Sequence, residues 1–152
     1  MRISDYLKKE VMELDLKAQN KEDAVKELGK IICKSKHVIN CDDFINDVFA
    51  REELCTTGIG NEIALPHART DNVKEFVIAF GKSDKGVEFK SLDNKPVKLI
   101  FLMGTPQAEA MKTYLHILAH LTRLLQKEDF RKQLLNANRP AEIIETFKNK
   151  EE

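Results

Sequence analysis

Apolar positions along the 152-residue chain keep a helical period at both ends and a strand-like pattern in the middle. After Asn20, the run KEDAVKELGKIICKSK places Ala24, Leu28, Ile31 and Ile32 on one face, predicting an amphipathic helix over 21–35. Asn20 suits its N-cap, and Asp23 sits near the positive helix end. A second helix is predicted over 42–54, with Phe44, Ile45, Val48 and Phe49 as its buried stripe. Residues 63–65 are apolar and precede Pro66, which favours extended backbone, so they read as a short strand. EFVIAFG at 75–81 and VKLIFLMG at 97–104 are rich in β-formers and stop at glycine. Between them, GVEFKSL lies between turn signals at Lys85-Gly86 and Asp93-Asn94 and is a further candidate strand. The helical period returns over 107–126, where Met111, Leu115, Leu118, Thr122 and Leu125 step by fours and threes, and Tyr114 and Leu121 widen the face. A shorter helix is predicted over 128–137. A last one has Pro140 in its first turn and ends near Lys148, and NKEE reads as a frayed tail.

Strands in the middle and helices at both ends predict an α/β fold. It is a single domain over 1–152, a mixed β-sheet of four or five strands sandwiched between helices. Composition agrees with a globular chain: 42% hydrophobic and 33% charged. The 25 basic and 25 acidic residues cancel, which leaves no basic field for nucleic acid or for an anionic membrane surface. The apolar run from Leu99 to Met103 is far too short to span a bilayer, and the N-terminus has no signal-peptide core, so a cytoplasmic location is expected. Cys33, Cys41 and Cys55 are odd in number and widely spaced. They suggest neither a disulfide framework nor a zinc site, and reduced thiols are expected, with Cys33 as core filler.

The chemistry concentrates in TGIGNEIALPHART, starting at Thr57. Gly58 and Gly60 can make a plain turn, leaving His67 an ordinary loop histidine. TGIGNE lacks the dinucleotide fingerprint, and no P-loop pattern occurs, which argues against a nucleotide site. A Cys55–His67 nucleophile pair has no supporting signature. A histidine that itself takes up a phosphoryl group explains the surroundings best. Neutral imidazole is a good nucleophile near neutral pH, Pro66 helps aim the ring, and N–H groups around Gly58 and Gly60 can cradle phosphoryl oxygens. An arginine is expected nearby to meet the transferred charge. Arg51 is the candidate, against its reading as a surface residue. His116 and His120 stand four apart on a helix, but Lys112 and Arg123 flank them, so a solvated basic stripe is expected and no metal. His37, near the end of the first helix, suits the helix dipole and receives no function.

REELCTTGIGNEIALPHA resembles the active-site segment of enzyme IIA domains of the sugar phosphotransferase system, of the fructose/mannitol type, a group that includes nitrogen-regulatory IIA proteins. LDLKAQNKEDAVKELGKII, GVEFKSLDNKPVKLIFLMGTP and LHILAHLTRLLQKEDFRKQLLNA extend the resemblance over about residues 3–148. The resemblance implies a phosphocarrier that needs no cofactor. His67 accepts a phosphoryl group from HPr or a relative, Arg51 supports the phosphate, and a cysteine on an enzyme IIB domain receives it for a membrane IIC permease. In regulatory members the phosphorylation state is itself the output. Sugar choice lies mainly in the permease. Many members carry a second histidine in the long helix; here Tyr114 stands in its place, either as a hydrogen-bond donor to the phosphoryl group or as a core aromatic. His116 lies roughly 200° around the helix from Tyr114 and does not substitute for it. Glu62 stands where some members have glycine, a position that carries no chemistry.

Overall fold

A computed structural model describes residues 2–151. Two short 3-10 turns lead into β1 (Met12–Glu13), followed by α1 (Lys21–Ile32) and α2 (Cys41–Leu54). Next come β2 (Gly58–Gly60), β3 (Ile63–Ala64), β4 (His67–Arg69), β5 (Val77–Val87) and β6 (Val97–Thr105). Helices α3 (Met111–Leu125), α4 (Glu128–Asn136) and α5 (Pro140–Glu151) complete the chain.

The sheet is mixed and six-stranded, in the order β1-β5-β6-β3-β2, with β4 also pairing β6. Its extra strands, β1, β2 and β4, are two or three residues long, too short to show a period. The central strand β6 is apolar on both sides because both sides are covered. Leu99, Phe101 and Met103 join the cluster formed with Ile117, Leu121, Phe130 and Phe147 from α3, α4 and α5. Ile100 and Leu102 join Ala24, Leu28, Phe44 and Val48 from α1 and α2 on the opposite side. Strand alternation thus produces a three-layer sandwich, as the sequence pattern implies.

The helix starts follow local chemistry. Asn20 caps α1 by accepting from the Asp23 N–H at 2.9 Å, and Asn40 caps α2 by accepting from Asp43 at 3.0 Å. Several expectations need correction. GVEFKSL is not a separate strand: β5 itself runs to Val87, and Glu88 then makes one bridge to Asn20. Helix α3 begins at Met111 rather than at residue 107, and Met111 and Leu115 are exposed. Of the expected face, Leu121 and Leu125 are buried and Leu118 packs against the core. Ile117 and Leu124 complete the buried face, while in the first turn only Tyr114 is half-buried, beside His67.

The tail is not frayed up to Glu151. The Glu151 carboxylate accepts from the N–H groups of Ile3 and Ser4 and meets His120 Nε2 at 2.7 Å, tying the two ends of the chain together. His37 lies beyond the end of α1 and pairs with Glu75 at 3.2 Å, so the dipole of α1 is not its partner. Cys33, at the C-cap of α1, and Cys41, the first residue of α2, form a disulfide with their Cα atoms 5.6 Å apart. The expectation of reduced thiols fails for this pair because the α1–α2 turn folds back on itself, which cysteine spacing does not reveal. Cys55 is free and exposed.

Candidate functional site

Residues 63–69 run beside β6 as one interrupted parallel strand: Ile63 pairs with Leu99, and His67 with Met103. Pro66 causes the interruption, since it has no N–H for the ladder, while its carbonyl accepts from Met103 N–H at 3.0 Å. His67 therefore opens β4 instead of hanging from a loop, and it is 7% exposed. Ala68 packs with the α1–α2 cluster, so His67 and Arg69, one step either side, face the α3 side.

The His67 Nδ1 lies 2.6 Å from the Leu65 carbonyl oxygen. A carbonyl only accepts, so Nδ1 carries the hydrogen and Nε2 keeps its lone pair. Burial pushes the imidazole pKa below its ordinary value. The bond to Leu65 opposes this, the Arg51 charge adds to it, and Glu52 opposes it. The ring is thus held neutral, in one tautomer, with Nε2 as the available nucleophile.

Tyr114, in the first turn of α3, places its ring centroid 5.7 Å from that of His67 at a tilt of 56°. Burial raises its phenol pKa, and the charges of Arg51 and Arg69 pull it back, so the hydroxyl remains a donor at neutral pH. Arg51 projects from the last turn of α2, where its Nη1 donates to the Cys55 carbonyl at 3.1 Å. Its side chain is exposed enough to turn toward an incoming anion. Arg69 went unnoticed in the sequence. Its Nη2 donates to the carbonyls of Gln107 and Glu109, at 2.9 and 2.6 Å, and so ties down the segment before α3. The signal was present: residues two apart on a strand share a face, so Arg69 follows His67 onto the same side.

The glycines do different work from a phosphate cradle. The Gly58 N–H donates to Thr56 Oγ1 at 3.1 Å and is not free for a ligand. A Cβ at Gly58 would sit 2.9 Å from the Ser91 Cα, so glycine is required there by close approach. Gly60 has φ +100 and pairs with Ile63, at the Leu99 level of β6. Four residues separate that level from His67, about 13 Å along the strand. Glycine at 60 serves the hairpin, in which Asn61 and Glu62 also take positive φ. Glu62 pairs with Lys98 at 3.5 Å, also away from His67. The exposed Cys55 has no hydrogen bond to His67, whose Nδ1 is taken by Leu65. Among the described residues there is no cluster of metal-binding side chains. His120 is engaged with Glu151.

Residues 5–150 match the family described as "Phosphoenolpyruvate-dependent sugar phosphotransferase system, EIIA 2". The chain belongs to this family. Among EIIA relatives, it is 35% identical over 145 residues to the "PTS system fructose-specific EIIABC component" of Bacillus subtilis (strain 168), covering 95% of this chain and 23% of that one. It thus spans under a quarter of that multidomain relative. The "PTS system fructose-specific EIIA component" of Haloferax volcanii is 36% identical over 135 residues, covering 89% of this chain and 87% of its own. The crystal structure of nitrogen regulatory protein IIA-Ntr from Neisseria meningitidis superposes with a TM-score of 0.87 at 29% identity, over 95% of this chain and 98% of that one. The fold and the EIIA assignment expected from the active-site segment therefore hold. Among the described residues no helix is long and apolar enough to cross a membrane.

Proposed function

We propose that this EIIA domain is a cytoplasmic phosphocarrier whose Nε2 of His67 accepts a phosphoryl group from phospho-HPr, or a relative of HPr, and passes it to a cysteine of an enzyme IIB domain. That cysteine would serve a membrane IIC sugar permease. The observation that carries the reading is the bond between His67 Nδ1 and the Leu65 carbonyl, which leaves Nε2 as a lone pair in a buried, neutral ring. In the first transfer the donor's P–N bond breaks as the Nε2–P bond forms. The attacking atom is a lone pair, so no base is needed to remove a proton. The hydrogen on Nδ1 stays in place, and the Leu65 carbonyl holds the ring as it gains positive charge. Arg51 supplies charge to the equatorial oxygens, and the Tyr114 hydroxyl supplies a donor. The second transfer reverses these contacts, with a thiolate as the acceptor. Leu54, Met111 and Leu115 expose apolar surface on the helices that carry Arg51 and Tyr114, a suitable docking rim for both partners.

The test is incubation with phosphoenolpyruvate, enzyme I and HPr, read by intact mass and peptide mapping. The expected adduct is acid-labile, base-stable and confined to His67, and His67→Ala takes up none. An adduct on His116, His120 or Cys55 overturns the assignment. Likeness to a nitrogen regulatory IIA favours a second reading, in which phospho-His67 controls partner binding. Transfer from the phosphorylated chain to a IIB cysteine separates the two: the transport reading requires it, and the regulatory reading does not.

A further inference from the structure

Glu52 is a buried carboxylate that the transfer chemistry leaves without a role, its side chain 3% exposed. Its surroundings are fully specified. Lys21 Nζ, from the first turn of α1, stands 3.1 Å from Oε1. The Thr57 N–H donates to Oε1 at 2.8 Å, and the Thr57 hydroxyl donates to Oε2 at 2.8 Å. The Thr57 carbonyl in turn accepts from the Leu65 N–H at 3.0 Å. The Leu65 carbonyl then accepts from His67 Nδ1 at 2.6 Å. Five residues thus form one continuous chain of contacts, from a lysine on α1 to the tautomer of the reacting ring.

We propose that Glu52 is a positioning residue for His67: held by Lys21, it fixes Thr57, and Thr57 fixes the Leu65 carbonyl that sets the orientation and tautomer of the imidazole. The proposal rests on His67 being the phosphoryl acceptor. An ionised carboxylate is unfavourable in a core unless paired and fully hydrogen-bonded. Here it meets Lys21 and the Thr56 hydroxyl, and its two shortest bonds, both 2.8 Å, are accepted from Thr57. Pro66 explains why such a brace is needed. With no N–H at 66, the segment keeps only the Pro66 carbonyl bond to Met103 on the β6 side at that point, and the Thr57–Leu65 bond ties it on the opposite side. Glu52 acts by charge as well. Tyr114 of α3 lies against the ring, Arg69 of β4 shares its face, the charges of Arg51 and Glu52 on α2 act on it, and Lys21 of α1 stands behind Glu52. Arg51 pushes the imidazole pKa down and Glu52 pushes it up.

The experiment compares wild type, Glu52→Gln and Thr57→Val by nitrogen-15 NMR of the His67 ring and by phosphoryl uptake from phospho-HPr. Wild type should show mainly the Nδ1–H tautomer. Glu52→Gln keeps the size of the side chain but removes the charge and one acceptor. It should mix the two tautomers, lower the ring pKa further and slow uptake by about 10- to 100-fold, the scale of a displacement near 1 Å. Thr57→Val keeps the buried ion pair and removes only the hydroxyl link. It should disturb the tautomer and the rate while leaving the pKa in place. A folded Glu52→Gln with wild-type tautomer and rate overturns the proposal, as does a rate that falls only with the unfolded fraction seen by circular dichroism. Should Glu52→Gln fail to fold, Thr57→Val decides: wild-type tautomer and rate in that variant overturn the proposal. If wild type itself gains no phosphoryl group, the acceptor reading fails, yet the tautomer comparison still reports on Glu52.

Discussion

Removing the Tyr114 hydroxyl separates the two roles open to that residue. In Tyr114→Phe the ring stays 5.7 Å from His67 at the same tilt, and its half-buried packing against the α3 side of the sheet is kept. Only one donor is lost. Burial holds the phenol protonated well beyond neutral pH, so in wild type that donor is present throughout the working range. A hydrogen bond to a charged group contributes roughly 1.5–3 kcal/mol. If the bond forms in the transition state, its loss slows transfer about 10- to 150-fold. Folding stability should change by less than about 1 kcal/mol, because the hydroxyl is not needed for the ring contact. Rapid-quench transfer from phospho-HPr gives the rate, and urea unfolding gives the stability. Tyr114→His, which brings in the residue of many relatives, should remain active. A Tyr114→Phe variant that transfers at the wild-type rate refutes the reasoning and makes Tyr114 a packing residue.

Other predictions concern the charges around the ring. Arg51→Ala should slow transfer more than it weakens HPr docking, and Arg51→Lys should recover only part of the rate, because a point charge replaces a planar fork; kinetics over a range of HPr concentrations separate the two effects. Arg69→Gln should release the segment before α3, slow transfer about 10-fold as the Tyr114 ring loosens, and raise the Tyr114 phenol pKa, read by ultraviolet titration in a Tyr6→Phe background. The depressed pKa of His67 should keep it a competent acceptor at pH 6, where an ordinary imidazole is about three-quarters charged; a rate already following ordinary imidazole titration would contradict this. The same shift acts on stability. The neutral ring's contribution is fully present above the unfolded-state value of 6.5 and is lost as pH falls from there through the lower folded value, so wild type should lose stability relative to His67→Gln over that window in urea titrations.

The amphipathic helices were legible from their period, because each buries one stripe against the sheet. The two long strands were legible from runs of β-forming residues, since β5 and β6 are buried nearly throughout and show no alternation. The active-site segment was legible from residue types, since a histidine after proline with an arginine upstream matches phosphoryl chemistry and the EIIA pattern. Local sequence determined the Asn20 cap and the requirement for glycine at Gly60, where positive φ excludes most side chains. Tertiary structure decided the rest. Strands of two or three residues have no period and exist only because neighbouring strands offer them partners: β5 for β1, β3 for β2, and β6 for β3 and β4. The Cys33–Cys41 bond depends on how α1 and α2 turn back on each other, and the order of Glu151 depends on backbone N–H groups at the far end of the chain. Gly58 and Gly60 looked like one cradle because they stand two positions apart in one short segment, but hydrogen bonding occupies the first and strand register carries the second away from His67. Arg69 and Glu52 acquire their places through carbonyls, N–H groups and a threonine contributed by other segments. A sequence names the side chains that can do chemistry; which nitrogen of His67 is free to react depends on a backbone carbonyl, and only the fold puts that carbonyl in reach.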